Sequence, residues 1–350
     1  MKLTRLFLAA ISVSLFVSCS NDDSPDTPKG VYDNGFFILN EGTKSGGSVS
    51  FSSNDFANFT SDVYKTANSS DFAGGYLQNI FFDGDKAYII SGAANVINVV
   101  NRYTFQLIAK IDTGLATPRY GVVKDGKAYV TNANTYSYIN PTTGDTDDFI
   151  AVIDLTTNKV ESKIELNATA DRIVLENGKL YTTDSFGNDK ILVINPSTKV
   201  LETPITIGYG AGTMEVKDGI LYVLRNPYKD RTEIVKVKLA DKTTTKIVFP
   251  EALDGSGYLD IYNDQIYYTA NKSVYAINTS ASAASTTAIL TAGLSKDGSI
   301  YGFAVNNDKI YIADSGDYAS NSKAYIYNLS GSLQKELTVG IGPNGFYFNN

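Results

Sequence analysis

The chain contains no histidine, a single cysteine and no long apolar run, and each shortage removes a class of function. Without histidine there is no Ser-His or Cys-His pair to activate a nucleophile and no imidazole to ligate a metal. The lone Cys19 permits no structural disulfide. Positive charge is also scarce: 30 Lys and Arg stand against 37 Asp and Glu, a formal net charge of −7. Such a surface repels phosphate backbones, which argues against nucleic acid as a partner.

The first residues read as targeting. Lys2 and Arg5 supply a positive start, and Leu6 to Val17 form an apolar run too short to span a bilayer. The run stops at Ser18-Cys19, which resembles a bacterial lipobox, with Phe16 where Leu, Val or Ile is usual. Residues 1–18 are then a lipoprotein signal peptide and Cys19 is the lipidated residue. An ordinary signal peptide with an incidental cysteine is the alternative. Residues 19–30 follow as a flexible tether rich in Ser, Asp and Pro. Its acidic run resembles the export signal of surface lipoproteins, so the expected location is the outer membrane, exposed at the cell surface. A solvated linker with no sorting role is the bland reading of the same residues.

The remainder, residues 31–350, is repetitive. The phrase "DGKAYVTN" around Tyr129 returns around Tyr88, Tyr181, Tyr222, Tyr267 and Tyr311, at intervals of 41 to 52 residues. Each copy opens with Asp-Gly, Asn-Gly or Asn-Asp, or with Gly84-Asp85, pairs that accept the positive φ of a two-residue hairpin. A second two-strand phrase follows each first one, for example "IAVIDLTTNKVESKIEL". One unit is therefore four strands, A to D, the period of a β-propeller blade. Six units are complete. "GFFILNEG" aligns as the B strand of a seventh, with Phe37 at the tyrosine position, "GSVSFSSND" and "FANFTSDVYK" supply its C and D strands, and "GPNGFYFNN" at the C-terminus supplies its A strand. The expected fold is all-β, a seven-bladed β-propeller whose last strand closes the first blade and removes the open edge. The repeated tyrosines are read as packing between blades.

"YVTN" at Tyr129 to Asn132 resembles the YVTN-repeat propellers, and "GFFILNEG", "GLATPRYGVVKDGKAYVTN" and "GPNGFYF" resemble the YncE-like surface lipoproteins. The resemblance spans residues 31–350. That group includes BtuG-type propellers, which capture cobalamin and pass it to a TonB-dependent transporter. The resemblance thus implies a monomeric, lipid-anchored capture protein with a TonB-dependent outer-membrane transporter as partner and a corrinoid as ligand. The shared motifs are blade-packing motifs, so they bring no ligand contacts with them.

A propeller places its ligand on the face of the D–A and B–C loops, around the central channel. Three residues beyond each repeat tyrosine, strand B ends at Asn40, Ser91, Asn132, Asp184, Arg225, Ala270 and Asp314, a mostly polar series that reads as a rim. The B–C loops bring Tyr136 and Tyr138, Tyr228 and Tyr318. The residues leading into strand A add Tyr76, Arg119, Tyr120, Arg172, Met214, Tyr258 and Tyr301. Exposed tyrosine gives flat contact area at low entropic cost, and arginine adds stacking and bidentate anion contacts. The candidate ligand-binding set is Asn40, Tyr76, Arg119, Asn132, Tyr136, Asp184, Arg225, Tyr228, Tyr258, Tyr301, Asp314 and Tyr318. It suits a flat, polar-edged small molecule or a protein or glycan surface. An enzyme would have to rely on carboxylates such as Glu41, Asp184 and Asp314. "GDTDD" and "DSGD" are oxygen-rich but lack EF-hand spacing and read as solvated loops. No cofactor, metal or catalytic residue is expected.

Overall fold

The computed structural model describes residues 29–69, 71, 73–134, 146–183 and 187–350. Cys19, Tyr136, Tyr138 and Asp184 lie outside the described residues.

The hairpin turns form as their residues dictate. Asp125-Gly126, Asn177-Gly178, Asp218-Gly219, Asn263-Asp264 and Asn307-Asp308 all hold φ between 46° and 74° at both positions. That is the mirror-image turn whose twist matches the flanking strands. Each turn joins an A strand to a B strand, and every unit folds into a four-stranded antiparallel sheet, seven in all. The A strands stand innermost and each touches the next around the circle. The seventh sheet is assembled from both ends of the chain: Pro343–Asn349 pairs with Gly35–Thr43 in the register Gly35↔Asn349 to Leu39↔Gly345.

Burial follows position in the blade. B strands are enclosed almost completely, as in Lys86–Ser91, because a neighbouring blade covers each face. Outer D strands alternate, as in Lys159–Glu165, because one face meets water. Phe37 and the six repeat tyrosines are all buried. Each sits in a cluster that joins adjacent blades; Tyr88, for example, stacks on Phe81 at 4.8 Å and shares its cluster with Val130 and Ala151 of the next blade. Truncating such a ring to alanine costs about 3–5 kcal/mol.

Blade 1 departs from the expected pattern. Its D strand is only Phe59–Thr60, and the segment read as its continuation turns into a helix, α1 (Val63–Asn68). Asp62 accepts from the Lys65 N–H and caps the helix start, which ends the strand there. Val63 and Tyr64 are buried, and the Tyr64 hydroxyl donates toward Asp71 and Asn98, so α1 covers the seam between blades 1 and 2. The D strand of blade 6 is also short, Leu290–Thr291, since the Ser/Ala/Thr-rich segment before it offers no alternating apolar face.

The two faces of the ring differ in role. Lys29 and Tyr32 are held by Tyr103, at a C–D turn, so the described chain enters on the face of the A–B turns. The D–A and B–C loops lie on the other face.

Candidate functional site

Every A strand starts on that second face, and its first residues converge on the channel. Four of the strands are preceded by a residue with left-handed backbone: Gly210, Gly342, Thr117 and Tyr76. Glycine adopts φ > 0 freely, whereas tyrosine does so at a cost of roughly 1–2 kcal/mol. Tyr76 nonetheless holds φ 47° and stays 44% exposed. Tyr318, in the B–C loop of blade 7, has φ 56° and is 50% exposed. Both rings stand out from the surface at the rim of the channel mouth.

Side chains from neighbouring blades join around that mouth. Gln78 of blade 2 donates to Glu41 of blade 1 at 3.2 Å. Tyr301 of blade 7 donates to the other oxygen of Glu41. The Tyr258 hydroxyl of blade 6 donates to the Tyr301 carbonyl, and Tyr318 meets the Tyr301 ring edge-on at 5.2 Å. On the other side Arg119 of blade 3 pairs with Asp171 of blade 4 at 3.0 Å. Between Glu41 and Arg119 lies a cleft of about 520 Å³, bordered also by Lys44, Tyr76, Gln78 and Asn95. Burial and the neighbouring Glu41 carboxylate raise the Tyr301 hydroxyl above its ordinary value; burial raises Tyr258 as well. Both stay neutral donors at physiological pH.

Of the sequence candidates, the structure brings together Tyr76, Arg119, Tyr258, Tyr301 and Tyr318. The strand-end residues lie elsewhere. Asn132 is fully buried, donating to the Val130 carbonyl and accepting from the Ala116 N–H. Asp314 is buried and accepts from the Ser295 and Gly316 amides. Asn40 is buried and donates to Ser48 and Ser50. Arg225 is buried, donating to the Gly208 and Tyr209 carbonyls and pairing with Glu233. Gly208 holds φ 93°, which strains any other residue, and a side chain there would also displace the Arg225 guanidinium. The position three beyond the repeat tyrosine is therefore polar for a structural reason. In Ser91, Asn132, Arg225 and Asp314 it ties the segment entering strand A to the end of strand B. Tyr228 is 87% exposed and borders a separate cleft on blade 5 with Tyr209 and Pro227. Met214 is core.

The acidic loops are also engaged internally. Asp148 accepts from the Asn134 and Ala170 amides, and Asp317 from those of Ala319 and Ser320. Among the described residues no group of three His, Cys, Asp or Glu is placed to hold a metal.

Below the mouth the channel narrows to about 250 Å³. Its wall includes Asn79, Tyr120, Arg172, Glu215, Asp260 and Tyr347. The Arg172 guanidinium lies 4.1 Å over the Tyr120 ring. Glu215 is half-buried in the channel wall, and burial with the nearby Asp260 charge holds its carboxyl well above the usual carboxylate range. Burial also raises Asp260, against the pull of hydrogen bonds from the Val305 and Ile261 amides. This acid pair is not the one expected: Glu41 sits at the mouth and Asp314 is occupied by backbone. The signal for it was present. In the A strands the residue paired with the repeat tyrosine is Phe81, Val122, Val174 or Ala304, but Glu215 and Asp260 in blades 5 and 6.

Solved structures share this architecture at low identity. A quinonprotein alcohol dehydrogenase-like protein from Bacteroides thetaiotaomicron is 18% identical, with a TM-score of 0.65 over 91% of this chain and 79% of that one. Hydrazine synthase from Kuenenia stuttgartiensis is 16% identical, with a TM-score of 0.61 over 75% of this chain and 86% of that one. Dihydro-heme d1 dehydrogenase in complex with DHE is 12% identical, with a TM-score of 0.58 over 92% and 77%. At such identities the likeness is one of fold, and the enzyme names do not transfer. No curated protein matches the sequence. A family match covers almost the whole ring, residues 34–348, and the chain belongs to that family, the domain of unknown function DUF5074.

Proposed function

We propose that the channel mouth captures a flat, polar-edged small molecule, with cobalamin or a related corrinoid as the leading ligand. The observation that carries this is convergence. Tyr76 and Arg119 border one cleft with Glu41, and Glu41 ties that cleft to the cluster of Tyr258, Tyr301 and Tyr318, so residues of blades 2, 3, 6 and 7 gather at the mouth. Pre-set aromatic and arginine groups lower the ordering cost of binding. The left-handed Tyr76 and Tyr318 fit the pattern in which backbone strain gathers at functional positions. The resemblance to YncE-like and BtuG-type lipoproteins supports the same reading. On it, the protein is anchored by lipid at Cys19, faces the cell exterior, acts without catalysis and hands its ligand to a TonB-dependent outer-membrane transporter. The described chain begins on the opposite face, at Lys29 beside Tyr103.

Gel filtration of the mature chain with cyanocobalamin, read where only the corrin absorbs, tests this. Colour travelling with the protein supports capture; colour confined to the free-ligand fraction at micromolar protein rejects the corrinoid.

A second reading has its own observation. The blade 5 cleft, about 910 Å³ with Tyr209 57% exposed and Tyr228 beside it, suits a protein or glycan partner. A carboxylate enzyme fares worse, because both Asp260 oxygens already accept backbone amides, which leaves Glu215 without an acid partner free to act.

A further inference from the structure

The channel beneath the mouth contains a cation whose neighbouring carboxylates, Asp171 and Glu215, act on it only through space and not as an ion pair. Of the five arginines in the described residues, Arg102 donates to Asn349, Arg119 pairs with Asp171, Arg225 with Glu233, and Arg231 with Glu251 and Asp254. Arg172 differs. Among the described residues its guanidinium has no carboxylate within ion-pair distance and donates to no side-chain or backbone oxygen; its only close partner is the face of Tyr120. A guanidinium has five N–H donors in a planar fork, and stacking on an aromatic ring leaves the edges of that fork free. Leaving them unmatched inside a channel is costly unless something else accepts them.

We infer that Arg172 is the seat of a small carboxylate that enters the channel from the mouth. The fork presents two parallel N–H groups, which match a carboxylate bidentately. Tyr120 fixes the plane of the fork. Tyr347 accepts from Asn79 at 3.3 Å and keeps its own hydroxyl proton to offer an anion. The wall restricts the charge of the guest, since Asp260 lies in the same channel and repels a dianion more than a monoanion. The volume of about 250 Å³ restricts its size. The site lies below the aromatic mouth and shares Gln78 and Tyr258 with it.

The test uses the mature chain with 13C-acetate at millimolar concentration, read as broadening of the carboxyl resonance. Arg231→Gln, which removes a half-exposed arginine paired with Glu251 and Asp254 and not lining the channel, is the control for loss of one charge. The expected result is broadening by the wild type and by R231Q, with binding weakened about tenfold in R172Q, the worth of a charge-assisted pair. Equal broadening in R172Q and R231Q, both folded by circular dichroism, overturns the proposal. Should R172Q fail to fold, bromide-soaked crystals of the wild type decide the matter. An anomalous peak on the Arg172 fork supports the site, and a fork without one rejects it.

Discussion

Tyr301 donates its hydroxyl to Glu41 across the seam where the two ends of the chain meet, joining residues 260 positions apart. The same carboxylate also accepts from Gln78, so one acid links blades 7, 1 and 2 at the mouth. Tyr301→Phe removes one of its two donors and leaves the ring itself in place. A hydrogen bond to a carboxylate contributes about 1.5–3 kcal/mol when enclosed, and less here, where Glu41 keeps contact with water. The expected outcome is a loss of about 1 kcal/mol in denaturant melts together with weaker retention of corrinoid. Unchanged retention with unchanged stability would show that the contact matters to neither.

Arg225 illustrates how strand-end polarity serves the fold. Its guanidinium is buried, donates to two carbonyls of the segment entering blade 5, and pairs with Glu233, which also accepts from Lys246. Arg225→Met deletes the donors and leaves Glu233 enclosed with one partner. Breaking such a pair costs about 3–5 kcal/mol. Chemical denaturation should show a loss of this size, while corrinoid retention at native conditions stays as in the wild type, because Arg225 does not border the mouth. Loss of retention in a folded R225M protein would move the ligand site to blade 5.

That residue also marks the limit of what could be read in advance. The turns, the packing tyrosines and the closing strand were legible because each depends on local chemistry: positive φ at Asp-Gly, alternation in the strand after it, and Phe37 at a tyrosine position. The strand-end series was visible as polar but not as buried. Residue type does not tell whether Asn132 or Asp314 points to water or ties down a loop amide. The D–A residues were found as a set, and their convergence followed from the ring alone. Glu215 and Asp260 stand out only once strand A is aligned on the repeat tyrosine, where two acids replace an otherwise apolar residue. In the segment after Phe59–Thr60, Val63 and Tyr64 favour a strand, yet Asp62 caps a helix there, and a single cap residue is a weak signal.

Glu215 makes stability depend on pH in an unusual direction. Its folded-state value is raised, so the native state binds the proton more tightly than the unfolded chain does. Its contribution is fully present below the ordinary carboxylate range and is lost as pH rises through the folded value. Asp260 adds to the same trend. Glu215→Gln keeps the neutral form at every pH. The variant should match the wild type at pH below the ordinary carboxylate range and exceed it increasingly as pH rises toward alkaline, by on the order of 1 kcal/mol or more, since a single pK unit is worth about that much. Melting temperatures across the pH range check this. A wild type whose stability climbs relative to E215Q as pH rises would reverse the assignment.

Tyr76 and Tyr318 offer a test in which stability and function move in opposite directions. Both rings are half exposed and both backbones are left-handed, a conformation that glycine adopts without strain. Gly210 and Gly342 occupy the same place before strand A as Tyr76 does, so the fold accepts glycine at that position. Tyr76→Gly should relieve backbone strain of roughly 1 kcal/mol, partly offset by the greater freedom of glycine in the unfolded chain. Its melting temperature is therefore expected to hold or rise. Ligand retention should fall, because the variant removes an exposed aromatic face from the rim, and Y76G combined with Y318G should lose more than either alone. A rim tyrosine retained for packing would give the contrary result, a lower melting temperature with retention intact. A gain in stability with loss of capture is the signature of residues held in a strained conformation for what they bind.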